Sequence, residues 1–213
     1  MLGVFLGIRH AFEPDHLAAV ATLVTARRSR GAAAMLGVYW GLGHTASLLA
    51  VGLALLGLRS ELPPRVSDAF ELAVAVMLVV LGARSIRQAW RDGEPGHVTT
   101  HRHGALEHTH EVARRLALRP LLVGLVHGLA GSGALTAVVF ANEPDWGARL
   151  GYIALFGIGS ALGMGGLSGL AGWPIAELAR APRFARGLAM AAGTLSAGMG
   201  LFWGAAAVQA WAN

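Results

Sequence analysis

The sequence predicts an all-α polytopic membrane protein with about six transmembrane helices, arranged as a 3+3 inverted repeat with a broken first helix. Three observations lead to this fold class. Of the 213 residues, 54% are hydrophobic and 14% are charged, whereas soluble domains carry about 25% charged residues. Long apolar runs recur along the whole chain, and its 30 glycines suit close helix packing in lipid. Similar short motifs also occur in both halves of the chain.

Six apolar segments are each long enough to cross a hydrocarbon core of about 30 Å. We expect them to be helices, because backbone polar groups in lipid must be satisfied within the segment. They cover residues 2–24, 34–58, 69–90, 120–140, 150–173 and 187–211. The chain thus divides into a three-helix unit at 1–90, a polar loop at 91–119 and a second three-helix unit at 120–213.

The distribution of arginine predicts the topology. All seventeen basic residues are Arg, and thirteen of them lie in or beside the first, third and fifth connections, against three in the second and fourth. By the positive-inside rule, the odd-numbered connections are cytoplasmic and both termini face outwards. The net charge of +5 therefore reflects insertion in the bilayer and not nucleic-acid binding. We expect a multi-pass protein of the bacterial cytoplasmic (inner) membrane.

Two pairs of motifs suggest that the halves are related. The segment from Gly7 to His10 resembles Gly124–His127, at an offset of 117 residues. Trp40-Gly-Leu-Gly-His44 resembles Phe156-Gly-Ile-Gly-Ser160, at an offset of 116 residues. A three-helix unit repeated after an odd number of spans has inverted topology, and transporters with this arrangement bind their substrate where the repeats meet.

The first span contains His10-Ala-Phe-Glu-Pro-Asp-His16. A charged side chain in the middle of a membrane helix costs roughly 2.5–3.5 kcal/mol, so such groups usually face a cavity, a partner or an ion. Pro14 predicts that the helix unwinds near residues 11–14 and restarts with Asp15 in its first turn. We therefore predict a metal site of His10, Asp15 and His16; the alternative is a set of polar residues that only bond neighbouring helices.

His44 is a further predicted metal ligand, because it lies in the middle of the second span. Gly41 and Gly43 precede it and allow a neighbouring backbone to come close. The alternative is a core histidine bonded to a backbone carbonyl. We expect His127 and Glu13 to serve a second-tier metal path, although His127 also fits an interfacial histidine near the cytoplasmic end of its span.

The donor types restrict the ion. The chain has no Cys, which excludes disulfides and thiolate metal sites, and nitrogen with carboxylate donors favours Ni²⁺, Co²⁺, Zn²⁺ or Mn²⁺. We expect a transported ion and no permanently bound cofactor. The polar loop carries five more histidines, which suit auxiliary metal handling and hand-off to cytoplasmic metallochaperones, or simply belong to a solvated linker. They are His97, His101, His103, His108 and His110.

His10-x4-Asp15-His16, preceded by Arg9 and followed by Leu17-Ala-Ala-Val, resembles the signature of the nickel/cobalt transporter (NiCoT) family. Leu42-Gly-His44-Thr resembles that family's second motif. The short six-span form is similar to the urease-accessory nickel permease branch. This resemblance implies transport of Ni²⁺ or Co²⁺, and it implicates His10, Asp15, His16 and His44 in selecting and moving the ion.

The leading hypothesis is therefore a secondary transporter for metal uptake, and not an enzyme. The same family also includes exporters, so efflux is an alternative. A different class is a membrane acyltransferase, in which the histidine of a His-x4-Asp motif acts as base and the aspartate orients it. A third hypothesis is a metal sensor whose functional part is the His-rich loop.

Overall fold

The computed structural model describes residues 2–25, 30–58, 62–91, 118–130, 139, 145–178 and 181–212. Within these ranges the protein is all-helical, as the sequence predicts. The helices, numbered in chain order, are α1 Leu2–His10, α2 Pro14–Thr25, α3 Arg30–Leu58, α4 Pro64–Arg91, α5 Leu118–Ala130, α6 Trp146–Leu178 and α7 Pro182–Ala212.

Four of the helices are long and apolar enough to cross a membrane. The qualifying segments are Gly31–Leu55, Pro64–Arg91, Trp146–Pro174 and Arg183–Trp211, which match the predicted second, third, fifth and sixth spans. Large apolar side chains cover their outward faces, such as Leu170 on α6 (73% exposed) and Phe202 on α7 (72% exposed). Outward apolar faces of this kind match the hydrocarbon of a bilayer, and the protein is a helical membrane protein.

The two remaining predicted spans differ from a single long helix. The first is divided into α1 and α2, and the break between His10 and Pro14 confirms the effect predicted for Pro14. The predicted fourth span at 120–140 begins with the shorter helix α5. Of the rest of that span, only residue 139 lies within the described part of the chain.

The core forms where α3 packs along α6, with α4 and α7 forming a second closely packed pair. Trp40 of α3 and Met164 of α6 are buried in one apolar cluster, together with Leu78 of α4. The backbone of Gly193 on α7 lies against Gly82 on α4, which leaves no room for a side chain at Gly82. Helix α2 contacts both pairs, so the broken segment lies at the centre of the bundle.

Two helix contacts correspond closely. On α1, Gly7 lies against the carbonyl oxygen of Phe156 and the amide nitrogen of Ser160 on α6. On α5, Gly124 lies against the carbonyl oxygen of Trp40 and the amide nitrogen of His44 on α3. The glycines are 117 residues apart, and their partners are 116 residues apart. The short helices α1 and α5 therefore dock onto α6 and α3 in the same manner.

Candidate metal site

The break between α1 and α2 brings His10 and His16 together. The last turn of α1 tightens, since the amides of Phe12 and Glu13 donate to the carbonyls of Arg9 and His10 at 3.0 Å. Pro14 then opens α2, where its missing N–H costs no helical hydrogen bond. On an uninterrupted helix the two histidines would point about 120° apart. Here their ring centroids are 4.5 Å apart.

His44 of α3 completes a group of three imidazoles. Its ring centroid lies 5.2 Å from that of His10 and 5.5 Å from that of His16. One ligand atom from each residue lies within 4.8 Å of the other two. This spacing is suitable for three nitrogen ligands around one ion. We call His10, His16 and His44 the three-histidine site.

Four ring nitrogens of this site are buried and have no hydrogen-bond partner in the part of the chain that the structure describes. They are Nε2 of His10, Nε2 of His16, and both ring nitrogens of His44. A buried polar atom without a partner is rare in folded proteins and calls for a ligand or water to explain it. Among the described residues, neither ring nitrogen of His44 contacts a backbone carbonyl, which the alternative of a bonded core histidine requires.

Carboxylates contact two of the three rings at Nδ1 and so fix their orientation. Nδ1 of His10 lies 2.9 Å from Oε1 of the exposed Glu13, and Nδ1 of His16 lies 3.0 Å from Oδ1 of the buried Asp15. A ring that donates from Nδ1 to a carboxylate keeps the lone pair of Nε2 free for a metal. Glu13 therefore pairs with His10 in the structure.

Asp15 belongs to a second cluster, which the sequence analysis did not separate from the first. Its Oδ2 lies 2.6 Å from Nε2 of His127 on α5, while its Oδ1 contacts His16. The rings of His16 and His127 are 4.1 Å apart between centroids, and one ligand atom from each of the three residues lies within 4.8 Å of the others. His127 is buried in the bundle, where its ring contacts Asp15 and His16.

Glycines explain how α5 brings His127 so close to α3. Gly43 lies against the backbone of Leu121, and Gly128 lies against the carbonyl oxygen of His44. On the other face of α3, Gly41 lies against Ala161 of α6. The close approach predicted at Gly41 and Gly43 is thus confirmed, and it places α3 in direct backbone contact with both neighbours.

Aromatic rings form the walls of the site. The indole of Trp40 is fully buried and stacks on His16, with 5.5 Å between ring centroids and 21° between ring planes. It also lies 5.5 Å from His127, and Phe156 lies 5.2 Å from His10. Sequence reasoning treated Trp40 only as part of a repeated motif. Its position one helical turn before His44 was the available signal, since such residues share a helix face.

The acyltransferase hypothesis requires a dyad of His10 and Asp15, and the described contacts give both residues other partners. Nδ1 of His10 contacts Glu13, and the two oxygens of Asp15 contact His16 and His127.

Arg9 is exposed. The predicted auxiliary histidines of the loop, His97, His101, His103, His108 and His110, lie outside the described residues.

Comparison with known proteins gives relatives along almost the whole chain. The urease accessory protein UreH of Bacillus sp. (strain TB-90) is 32% identical over 204 residues, which cover 95% of this chain and 88% of the relative. Two chloroplast proteins of Arabidopsis thaliana, FOR GROWTH AND FERTILITY 2 and 1, are 30% and 27% identical. Each alignment covers 93% of this chain, which spans 54% and 56% of the plant proteins.

No protein-family profile matches the chain, and no solved structure gives a significant match. The name of the bacterial relative describes an accessory protein and not a catalyst, in agreement with the prediction that this chain is not an enzyme. That relative aligns with nearly all of the chain. The chain belongs to the family of the urease accessory protein UreH.

Proposed function

We propose that this protein transports a divalent transition-metal ion, Ni²⁺ or Co²⁺, across a membrane. The observation that carries the proposal is the three-histidine site. His10, His16 and His44 present buried nitrogens that have no hydrogen-bond partner among the described residues, and their ligand atoms lie within 4.8 Å of one another inside a bundle of membrane-spanning length. Polar groups inside a membrane protein are costly and mark ion or substrate paths.

The donor set favours the proposed ions. Neutral imidazole binds Ni²⁺, Co²⁺ and Zn²⁺ well, whereas Mg²⁺ and Ca²⁺ prefer all-oxygen sites. The chain has no Cys to supply the thiolates that soft ions favour. The resemblance of the first and second motifs to nickel/cobalt transporters supports nickel or cobalt within this group, and so does the name of the urease accessory relative.

We further propose that the protein has six spans arranged as an inverted 3+3 repeat. In this arrangement α1 and α2 form the broken first span, and α5 begins the fourth span. The matching contacts of Gly7 on α6 and of Gly124 on α3 support the repeat. The three-histidine site would then lie where the repeats meet, as in other transporters with broken helices.

The direction and location belong to the same proposal. The arginine distribution supports outward-facing termini in a bacterial inner membrane. We propose uptake driven by the gradient of the ion and the membrane potential, with delivery to cytoplasmic metallochaperones. The ion is the cargo and not a resident cofactor.

Metal uptake into ATP-free proteoliposomes tests the proposal. Wild-type protein should accumulate radiolabelled Ni²⁺ or Co²⁺, and His44→Ala should abolish this uptake because it removes one of three ligands. Leu48→Ala is the matched control: Leu48 is buried one turn further along α3 and offers no metal ligand. Both variants should insert equally, and uptake by Leu48→Ala should remain. Normal accumulation by His44→Ala would contradict a transport role for the three-histidine site.

A further inference from the structure

The cluster of Asp15, His16 and His127 has the composition of a metal site in its own right. One ligand atom from each residue lies within 4.8 Å of the other two. All three residues are buried, with 8%, 0% and 1% of their surface exposed. Two imidazoles and a carboxylate suit the same divalent ions as three imidazoles. Orientation of His16 needs only Asp15, so it does not account for the buried His127.

We propose that Asp15, His16 and His127 form a second metal position, and that the transported ion passes between it and the three-histidine site. This inference rests on the transport function proposed above, and it describes part of the path that the transported ion takes through the protein. The two positions meet at His16, which is the residue common to both groups. An ion can therefore move from one to the other while it stays at the same imidazole.

In this proposal one nitrogen of His16 is assigned to each position. Nδ1 lies 3.0 Å from Asp15 and belongs to the second position, while Nε2, which has no hydrogen-bond partner among the described residues, belongs to the three-histidine site. Two divalent cations on one imidazole would repel each other strongly in a buried site. Occupation of the two positions should thus be mutually exclusive, and the ion exchanges between them.

The exchange conserves protons. With the ion on Nε2, the ring of His16 keeps its single proton on Nδ1; with the ion on Nδ1, that proton is on Nε2. His127 changes in the same way, since Nε2 contacts Asp15 in the structure and Nδ1 has no partner among the described residues. Each ring carries one proton before and after, so only the metal–ligand bonds and the tautomers change.

The decisive variant is His127→Asn, tested with Co²⁺ as the probe. The amide of Asn can still donate to Asp15 but is a poor metal ligand, so Co²⁺ binding at the three-histidine site should be unchanged while uptake is lost. His127→Cys, in a chain without other cysteines, supplies a metal ligand again and should restore uptake. Uptake by His127→Asn at the wild-type rate would overturn the second position.

A positioning role for His127 gives a different result. If His127 only oriented Asp15, His127→Ala would weaken metal affinity by about 10–100-fold and reduce uptake in proportion, whereas His127→Asn, which still donates to Asp15, would keep both. Calorimetric titration of detergent-purified His127→Asn with Co²⁺ separates the two: unchanged affinity with lost uptake supports the second position, whereas retention of both, or a parallel loss of both, overturns it.

His44→Ala isolates the second position. In this variant Co²⁺ should still bind through Asp15, His16 and His127, and X-ray absorption should show two imidazoles and an oxygen donor in place of three imidazoles. Failure of this variant to bind Co²⁺ would overturn the inference. Absence of Co²⁺ uptake by the wild-type protein would instead contradict the transport function itself, so the two failures are distinguishable.

Discussion

Nε2 of His127 lies 2.6 Å from Oδ2 of Asp15, a contact between residues 112 positions apart in the chain. The other oxygen of the same carboxylate contacts Nδ1 of His16 at 3.0 Å. One buried carboxylate therefore fixes two imidazoles that come from α2 and α5. The arrangement links the broken first segment of the chain to the first helix of its second half.

The negative charge of Asp15 should affect Ni²⁺ affinity more than the shape of its side chain does. Asp15→Asn keeps the size of the side chain but leaves one acceptor oxygen for two histidine donors. We expect Ni²⁺ affinity to fall by about 10–100-fold, as for other residues that orient metal-binding histidines. Isothermal titration of the purified protein measures this. Asp68→Asn, on α4, is the control and should bind Ni²⁺ like the wild type; equal affinity in Asp15→Asn would contradict the assigned role.

Pro14 should be required for the convergence of His10 and His16. Pro14→Ala removes the main obstacle to a continuous helix, so α1 and α2 should join and turn the two histidines about 120° apart. Metal binding should be lost while helical content rises. Spin labels can be attached at Phe5→Cys and Leu17→Cys, two exposed positions. The distance between the two labels should lengthen towards about 18 Å, the separation of these positions along one continuous helix.

Pro174→Ala is the matched control for this experiment. Pro174 also lies inside a membrane-length helix, α6, but in an exposed position near its end. Its replacement should leave Ni²⁺ affinity unchanged. An unaltered label distance in Pro14→Ala would show that packing around α1 and α2, and not the proline, imposes the break.

Gly124 should be intolerant of even one methyl group. A Cβ at this position would overlap the backbone of Trp40, so α5 would have to move away from α3. We expect Gly124→Ala to destabilise the protein by about 1–3 kcal/mol, as overpacking does, and to weaken metal binding by displacing His127.

Gly166→Ala provides the comparison, because nothing lies within 4 Å of a Cβ at Gly166 on α6. Alanine favours a helix over glycine by about 1 kcal/mol, so this variant should be as stable as the wild type or slightly more stable. Thermal unfolding in detergent measures the stability of both variants. Equal melting temperatures for the two variants would mean that α5 is not tightly seated on α3.

Deletion of residues 97–110 should leave transport intact. The two metal positions use α1, α2, α3 and α5, and none of their residues lies in the deleted segment. The initial rate of Co²⁺ uptake into proteoliposomes should therefore resemble that of the full chain. Loss of uptake with unchanged Co²⁺ binding would favour the sensor hypothesis, in which the His-rich loop is the functional part.

Local chemistry made part of the site predictable. The broken helix follows from Pro14, because proline restricts both its own backbone and that of the preceding residue. The close packing at Gly41 and Gly43 follows from the absence of a side chain. These effects act within a few residues and can be read directly from the sequence.

The division of the ligands into two clusters was not predictable in the same way. Asp15 and His16 are neighbours in sequence, yet Asp15 pairs with His127 while His16 joins His10 and His44. This sorting depends on how α5 seats on α3, which is tertiary packing. The stacking of Trp40 on His16 depends on the same packing, and the motif around Trp40 could not reveal which ring it would meet.

The matched contacts of Gly7 and Gly124 have a consequence for redesign. Ser160 occupies on α6 the place that His44 occupies on α3, and its hydroxyl is buried without a hydrogen-bond partner among the described residues. The backbone contacts at Gly7 and Gly124 are equivalent, but an imidazole, that of His44, lies only at the contact of Gly124. Backbone packing and side-chain chemistry are therefore separable at these two contacts, and a single substitution of Ser160 would change the chemistry at the contact of α1 with α6.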